Sequence, residues 1–98
     1  MEYKIKRILH SGSKGTRGTD KTTDSRYQPR IGRTVDLDLD NIFVDYPIRI
    51  PYIKDSDGSD YRGHFLYAGY LNNSIGIINN TVIIETFNSI YEFEKVYK

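Results

Sequence analysis

Residues 42–53 read IFVDYPIRIPYI, and this stretch decides the fold class. Its even positions, Ile42, Val44, Tyr46, Ile48, Ile50 and Tyr52, are all apolar, whereas Asp45, Pro47, Arg49 and Pro51 occupy odd ones. A β-strand turns alternate side chains to opposite faces, so a period of two predicts one long strand with an uninterrupted apolar face. Proline has no N–H to give to a ladder. Pro47 and Pro51 therefore predict an edge strand, or one bent around a barrel corner. An edge of that kind leaves Asp45, Arg49 and Tyr52 as a candidate protein interface.

The same reading extends in both directions. Upstream, Gly32 opens RTVDLDLD (33–40), where Val35, Leu37 and Leu39 alternate with Asp36, Asp38 and Asp40, a second predicted strand. YKIKRILH (3–10) predicts a first strand whose alternation slips at Ile8-Leu9, as at a bulge. Downstream, KDSDGSDYRG is a loop with Asp57-Gly58 as a hairpin signal, and HFLYAGYL (64–71) is a strand apolar on both faces, which predicts a central place in the sheet. Asn72-Asn73 and Asn79-Asn80 are turns bracketing a short strand over 75–78, and TVIIETF (81–87) follows as another. In the tail, Tyr91, Phe93 and Tyr97 alternate with glutamates as in a strand, although Ser89 with Glu92 also spells a helical capping box. We read it as a strand. The sum is an all-β fold, a small barrel or roll of the SH3-like or OB-like kind with about five to six short strands.

The single domain spans 1–98, and it contains one stretch without strand character. Residues 11–30, SGSKGTRGTDKTTDSRYQPR, hold no apolar side chain except Tyr27, which predicts a long basic polar loop near the N-terminus. Loops of this length are commonly functional or disordered. Charge is lopsided: residues 1–33 carry nine Lys or Arg against three acids, and residues 34–98 carry five against ten. Either the basic part meets an anionic partner, or the two halves attract one another in the folded chain.

Composition sets the remaining bounds. There is no cysteine, which excludes disulfides and thiolate metal sites and suits a cytoplasmic protein. The opening MEYKIKRILHSG is neither a signal peptide nor a membrane span by pattern, and no membrane partner is expected. One alanine, at Ala68, among many Ile, Tyr and Asn residues favours strands and hints at a bacterial or phage origin.

No cofactor or metal site is predicted. Asp36, Asp38 and Asp40 would sit ~7 Å apart on one strand face, too widely spaced to grip one ion unaided. Asp55, Asp57 and Asp60 around Gly58 lack the spacing of a calcium loop. His10 and His64 are the only neutral-pH bases, and no serine lies in a nucleophile-elbow pattern, so a metal-dependent or histidine-based hydrolase ranks last. Two binding functions rank above it. The first is a small non-enzymatic protein-interaction or regulatory module. The second is nucleic-acid binding through residues 11–33, where Lys14, Arg17, Lys21, Arg26, Tyr27, Arg30 and Arg33 would contact phosphates, with Tyr61, Phe65, Tyr67 and Tyr70 as stacking surfaces.

Overall fold

Seven antiparallel strands form one open sheet: β1 (Glu2–His10), β2 (Thr34–Asp36), β3 (Pro47–Lys54), β4 (Phe65–Tyr70), β5 (Gly76–Ile78), β6 (Thr81–Glu85) and β7 (Ser89–Lys95). Their order across the sheet is β4-β3-β2-β1-β7-β6-β5. The computed structural model describes residues 1–98 apart from Lys14, Asp45, Asn73, Ser74 and Lys98. A Cα radius of gyration of 12.6 Å matches a single compact domain of this length, for which about 13 Å is usual. Among the described residues no helix is long and apolar enough to cross a membrane, and the helical content is two single 3₁₀ turns, Gln28–Arg30 and Leu39–Asn41.

Alternation explains the core. Ile48, Ile50 and Tyr52 of β3, Leu66 and Ala68 of β4, Val82 and Ile84 of β6, and Tyr91 and Phe93 of β7 all turn inward and are buried. On β1 the buried pair is Ile5 and Ile8, three residues apart, which strict alternation forbids. The extra residue is Lys6: Ile5 faces Phe93 and Arg7 faces Glu92, so two steps on β1 match one on β7. This bulge returns Ile8 to the core face, and it lies earlier than the predicted slip at Ile8-Leu9.

The long N-terminal polar loop is not found. Residues 11–33 fold back along the flank of β1 that β2 leaves uncovered. His10 N–H donates to Thr19 O and Lys21 N–H to Ile8 O, both at 2.9 Å, while Gly32 N–H donates to Ile5 O at 2.9 Å and Ile5 N–H to Arg33 O at 3.0 Å. Each unpaired N–H and C=O of β1 seeks a partner, and the only chain at hand is this polar one.

Three other expectations are corrected. The strand over 33–40 stops at Asp36, because Asp38 accepts the Asp40 N–H and caps a 3₁₀ turn, so Asp36, Asp38 and Asp40 form no ladder. The strand over 42–53 begins only at Pro47, which faces Tyr70, the last residue of β4; beyond that pair no strand lies alongside, and Val44 and Tyr46 are exposed. The proline-bearing strand is also not an edge, since β3 lies between β2 and β4. Pro51 is tolerated for a local reason. Tyr52 donates its N–H to His64 O on the β4 side, so the preceding nitrogen faces the other flank, where β2 reaches only Tyr52 and Lys54. The tail, by contrast, forms a strand over Ser89–Lys95 as expected.

The true edges are β4, whose two apolar faces predict a central place, and β5; burial of both β4 faces is not required, since Tyr67 and Tyr70 are exposed. The end of β4 curls onto the β6–β7 corner, where Leu71 bridges Thr86, Asn72 N–H donates to Glu85 O at 2.9 Å and Phe87 N–H to Tyr70 O at 3.2 Å. Deleting Lys6 removes the extra residue and leaves Ile5 and Ile8 two apart, where plain alternation keeps both on the core face, so urea denaturation should show a loss of less than about 2 kcal/mol of unfolding free energy. The Lys6→Ala variant, which loses only an exposed pair with Glu94, should cost less than about 1 kcal/mol.

Candidate functional site

A cleft of about 300 Å³ opens at the start of β4, lined by Arg30, Arg33, Tyr61, His64 and the β4 residues Phe65, Leu66 and Tyr67. Leu66 points to the core and its two neighbours to the outer face, yet all three border the same cleft. This places the first part of β4, an edge strand, at the cleft wall beside Tyr52 of β3. Tyr61 and His64 stack with ring centroids 4.3 Å apart and planes at 14°. Tyr67 is 65% exposed at the rim, and the Arg49 guanidinium lies 4.2 Å from the Phe65 ring on the adjoining face.

The opposite wall is cationic. Pro29 sits in the first turn of the 3₁₀ helix, where its missing N–H costs nothing, and Arg30 ends that turn. Arg30 Nη1 donates to the Tyr91 hydroxyl at 2.7 Å, and its guanidinium lies 4.8 Å from the Tyr27 ring. Arg33 is held more tightly, donating from Nε to Asp55 Oδ1 at 3.0 Å with its guanidinium 4.4 Å from the Tyr61 ring.

The other basic residues of 11–33 are occupied elsewhere. Lys21 is buried, its ammonium 2.7 Å from both Asn88 O and Ser89 Oγ and 4.0 Å from the Tyr27 ring centroid. Arg17 pairs with Glu85 and Arg26 with Asp24. Lys14 lies outside the described residues. Tyr27 thus gathers Lys21, Arg26 and Arg30 around one ring. Burial pushes its hydroxyl up, but the hydrogen bond and charge of Lys21, with Ser89 and Arg30, outweigh this and hold its pKa below the ordinary value. Among the described residues five ion pairs join residues 1–33 to the acidic remainder, through Met1, Lys6, Arg7, Arg17 and Arg33, as attraction between the halves requires.

The candidate interface Asp45, Arg49 and Tyr52 is not one exposed patch: Arg49 is on the surface, Tyr52 is 4% exposed beneath Arg33, and Asp45 lies outside the described residues. His10 packs against Gly15, where an added Cβ would stand 2.8 Å from Nδ1. Among the described residues no group of three His, Asp or Glu is placed to hold a metal ion. Sequence reasoning grouped Arg30 and Arg33 with Tyr61, Phe65 and Tyr67 in one hypothetical site, but it left out His64 and did not foresee the stack of His64 on Tyr61. The stacked aromatics carried a signal, Tyr61 and His64 flanking Gly63, whose φ of +89° permits the tight return into β4. No protein-family model matches the chain, and neither a curated protein nor a solved structure matches it.

Burial raises the Tyr91 hydroxyl to about 12 despite the charge and hydrogen bond of Arg30. An unfolded tyrosine loses its proton near pH 10 while folded Tyr91 keeps it, so stability present below pH 10 is lost as pH climbs toward 12. Urea unfolding should show a fall of about 3 kcal/mol across that window, and Tyr91→Phe should remove most of it.

Proposed function

We propose that this protein is a small non-enzymatic module that binds another protein, receiving an extended segment along the open flank of β4. The observation that carries this reading is the cleft itself, because Phe65, Leu66 and Tyr67 bring a strand edge, not merely a surface, to its wall. A strand edge offers unpaired backbone groups that an incoming strand can satisfy, while neighbouring pockets read its side chains. The sheet is read as a roll of the small-barrel kind, SH3-like or OB-like, supported by the Leu71–Thr86 bridge that brings β4 round to the β6–β7 corner. The cysteine-free sequence fits a cytoplasmic setting.

Single-stranded nucleic acid is the second reading, favoured by the Tyr61–His64 stack beside Arg30. It ranks lower because phosphate tracking needs a row of available cations, and Arg17, Arg26 and Arg33 already hold carboxylates while Lys21 is buried.

Phage display of random linear peptides against the immobilised protein tests the first reading. Enriched peptides should bind the wild type and bind Tyr67→Lys at least roughly tenfold more weakly, since a lysine on an edge strand opposes pairing. No enrichment, or enrichment indifferent to Tyr67→Lys in a variant with unchanged circular dichroism, would overturn it. A labelled oligothymidylate bound at physiological salt would move nucleic acid to first place.

A further inference from the structure

We infer that the cleft reads one carboxylate on the segment that docks along β4, and that Arg30 is its reader. The inference rests on the β4-flank reading above and adds the chemistry of the partner.

Three observations converge on Arg30. First, it is the cation of the cleft without an acid: Arg33, the other, holds Asp55, whereas no carboxylate lies within ion-pair distance of Arg30 among the described residues. Second, its guanidinium is only partly satisfied. Five N–H groups are available on a guanidinium, and among the described residues the one acceptor on the Arg30 side chain is the neutral Tyr91 hydroxyl. Third, it is already positioned. The Tyr27 ring supports its face at 4.8 Å and Tyr91 holds Nη1, so little side-chain freedom remains to be lost on binding. A half-sheltered planar donor fork facing a concave, aromatic-walled site matches the two oxygens of a carboxylate.

The number of uncommitted charges selects the occupant. One free guanidinium suits a single Asp or Glu side chain, or a chain terminus, and not the charge on every residue of a nucleic-acid strand. The adjoining strand edge favours the same choice, because a peptide backbone can pair with β4 and a sugar-phosphate backbone cannot. The occupant is therefore an extended peptide with an acidic residue opposite the start of β4, set between Arg30 and the exposed Tyr67 ring.

The peptides enriched by display provide the test. They should share an Asp or Glu at one position, and resynthesis with Asn or Gln there should weaken binding to the wild type roughly tenfold in fluorescence anisotropy. Against Arg30→Gln, which can still donate a hydrogen bond toward Tyr91, the acid and amide peptides should bind alike. Should Arg30→Gln lose its cooperative thermal transition, Arg30→Lys decides: it keeps the charge without the fork, and the acid-to-amide ratio should fall several-fold. Enriched peptides that carry no shared acid, or an acid preference unchanged in both variants, would overturn the carboxylate readout while leaving the β4 module standing. Failure to enrich any peptide would remove the module and this inference together.

Discussion

The pairing of β1 with β7 is the constraint on which the rest of the structure depends. It sets the basic start of the chain against its acidic end, Lys6 beside Glu94 and Arg7 beside the largely buried Glu92, and it puts Ile5 over Phe93 at the centre of the core. The register is workable only because Lys6 is bulged, which restores Ile8 to the same face as Ile5. A slip by one residue in either direction would put a lysine or arginine where an isoleucine now lies, so the apolar face and the charge pattern enforce the same alignment.

That pairing also accounts for the conformation of the polar segment. β1 has nine residues and β2 only three, so most of the far flank of β1 would be without partners if residues 11–33 projected into solvent. By returning along β1 they satisfy its backbone and carry Tyr27, Arg30 and Arg33 to the gap facing β4. The basic residues then meet the acids of the other half one at a time. What remains is local: Arg30, backed by an aromatic ring and a neutral hydroxyl, opposite a strand edge. The same economy that neutralises the surface thus leaves Arg30 without a carboxylate among the described residues.

The engaged end of β4 matters as much as its open part. Tyr70, Leu71 and Asn72 are tied to the β6–β7 corner, which fixes the strand's direction and anchors it next to buried Glu85, the partner of exposed Arg17. Phe65–Tyr67, at the other end of the strand, border the cleft together with Arg30.

The sequence by itself determined the β class, the inward residues Ile48, Ile50 and Tyr52 of β3, the alternation of Tyr91 and Phe93 in β7, the turns at Asp57-Gly58 and Asn79-Asn80, and the strand at the C-terminus. Each follows from period-two alternation or from turn chemistry, which act over a few neighbouring residues. The turn read at Asn72-Asn73 includes Asn73, which lies outside the described residues. Where strands stop was decided by tertiary structure: Val44 and Tyr46 keep the alternation of β3 but have no strand alongside them, and Asp38 trades a ladder for a capped turn. Which strand is an edge was equally beyond local reading, because Pro51 needs only an unpaired nitrogen, and a short β2 supplies that inside the sheet. The cleft belongs to the same category. Arg30, Tyr61, His64 and Tyr67 meet because strands distant in sequence were brought together by burial and pairing, and no pattern along the chain encodes a distance across it.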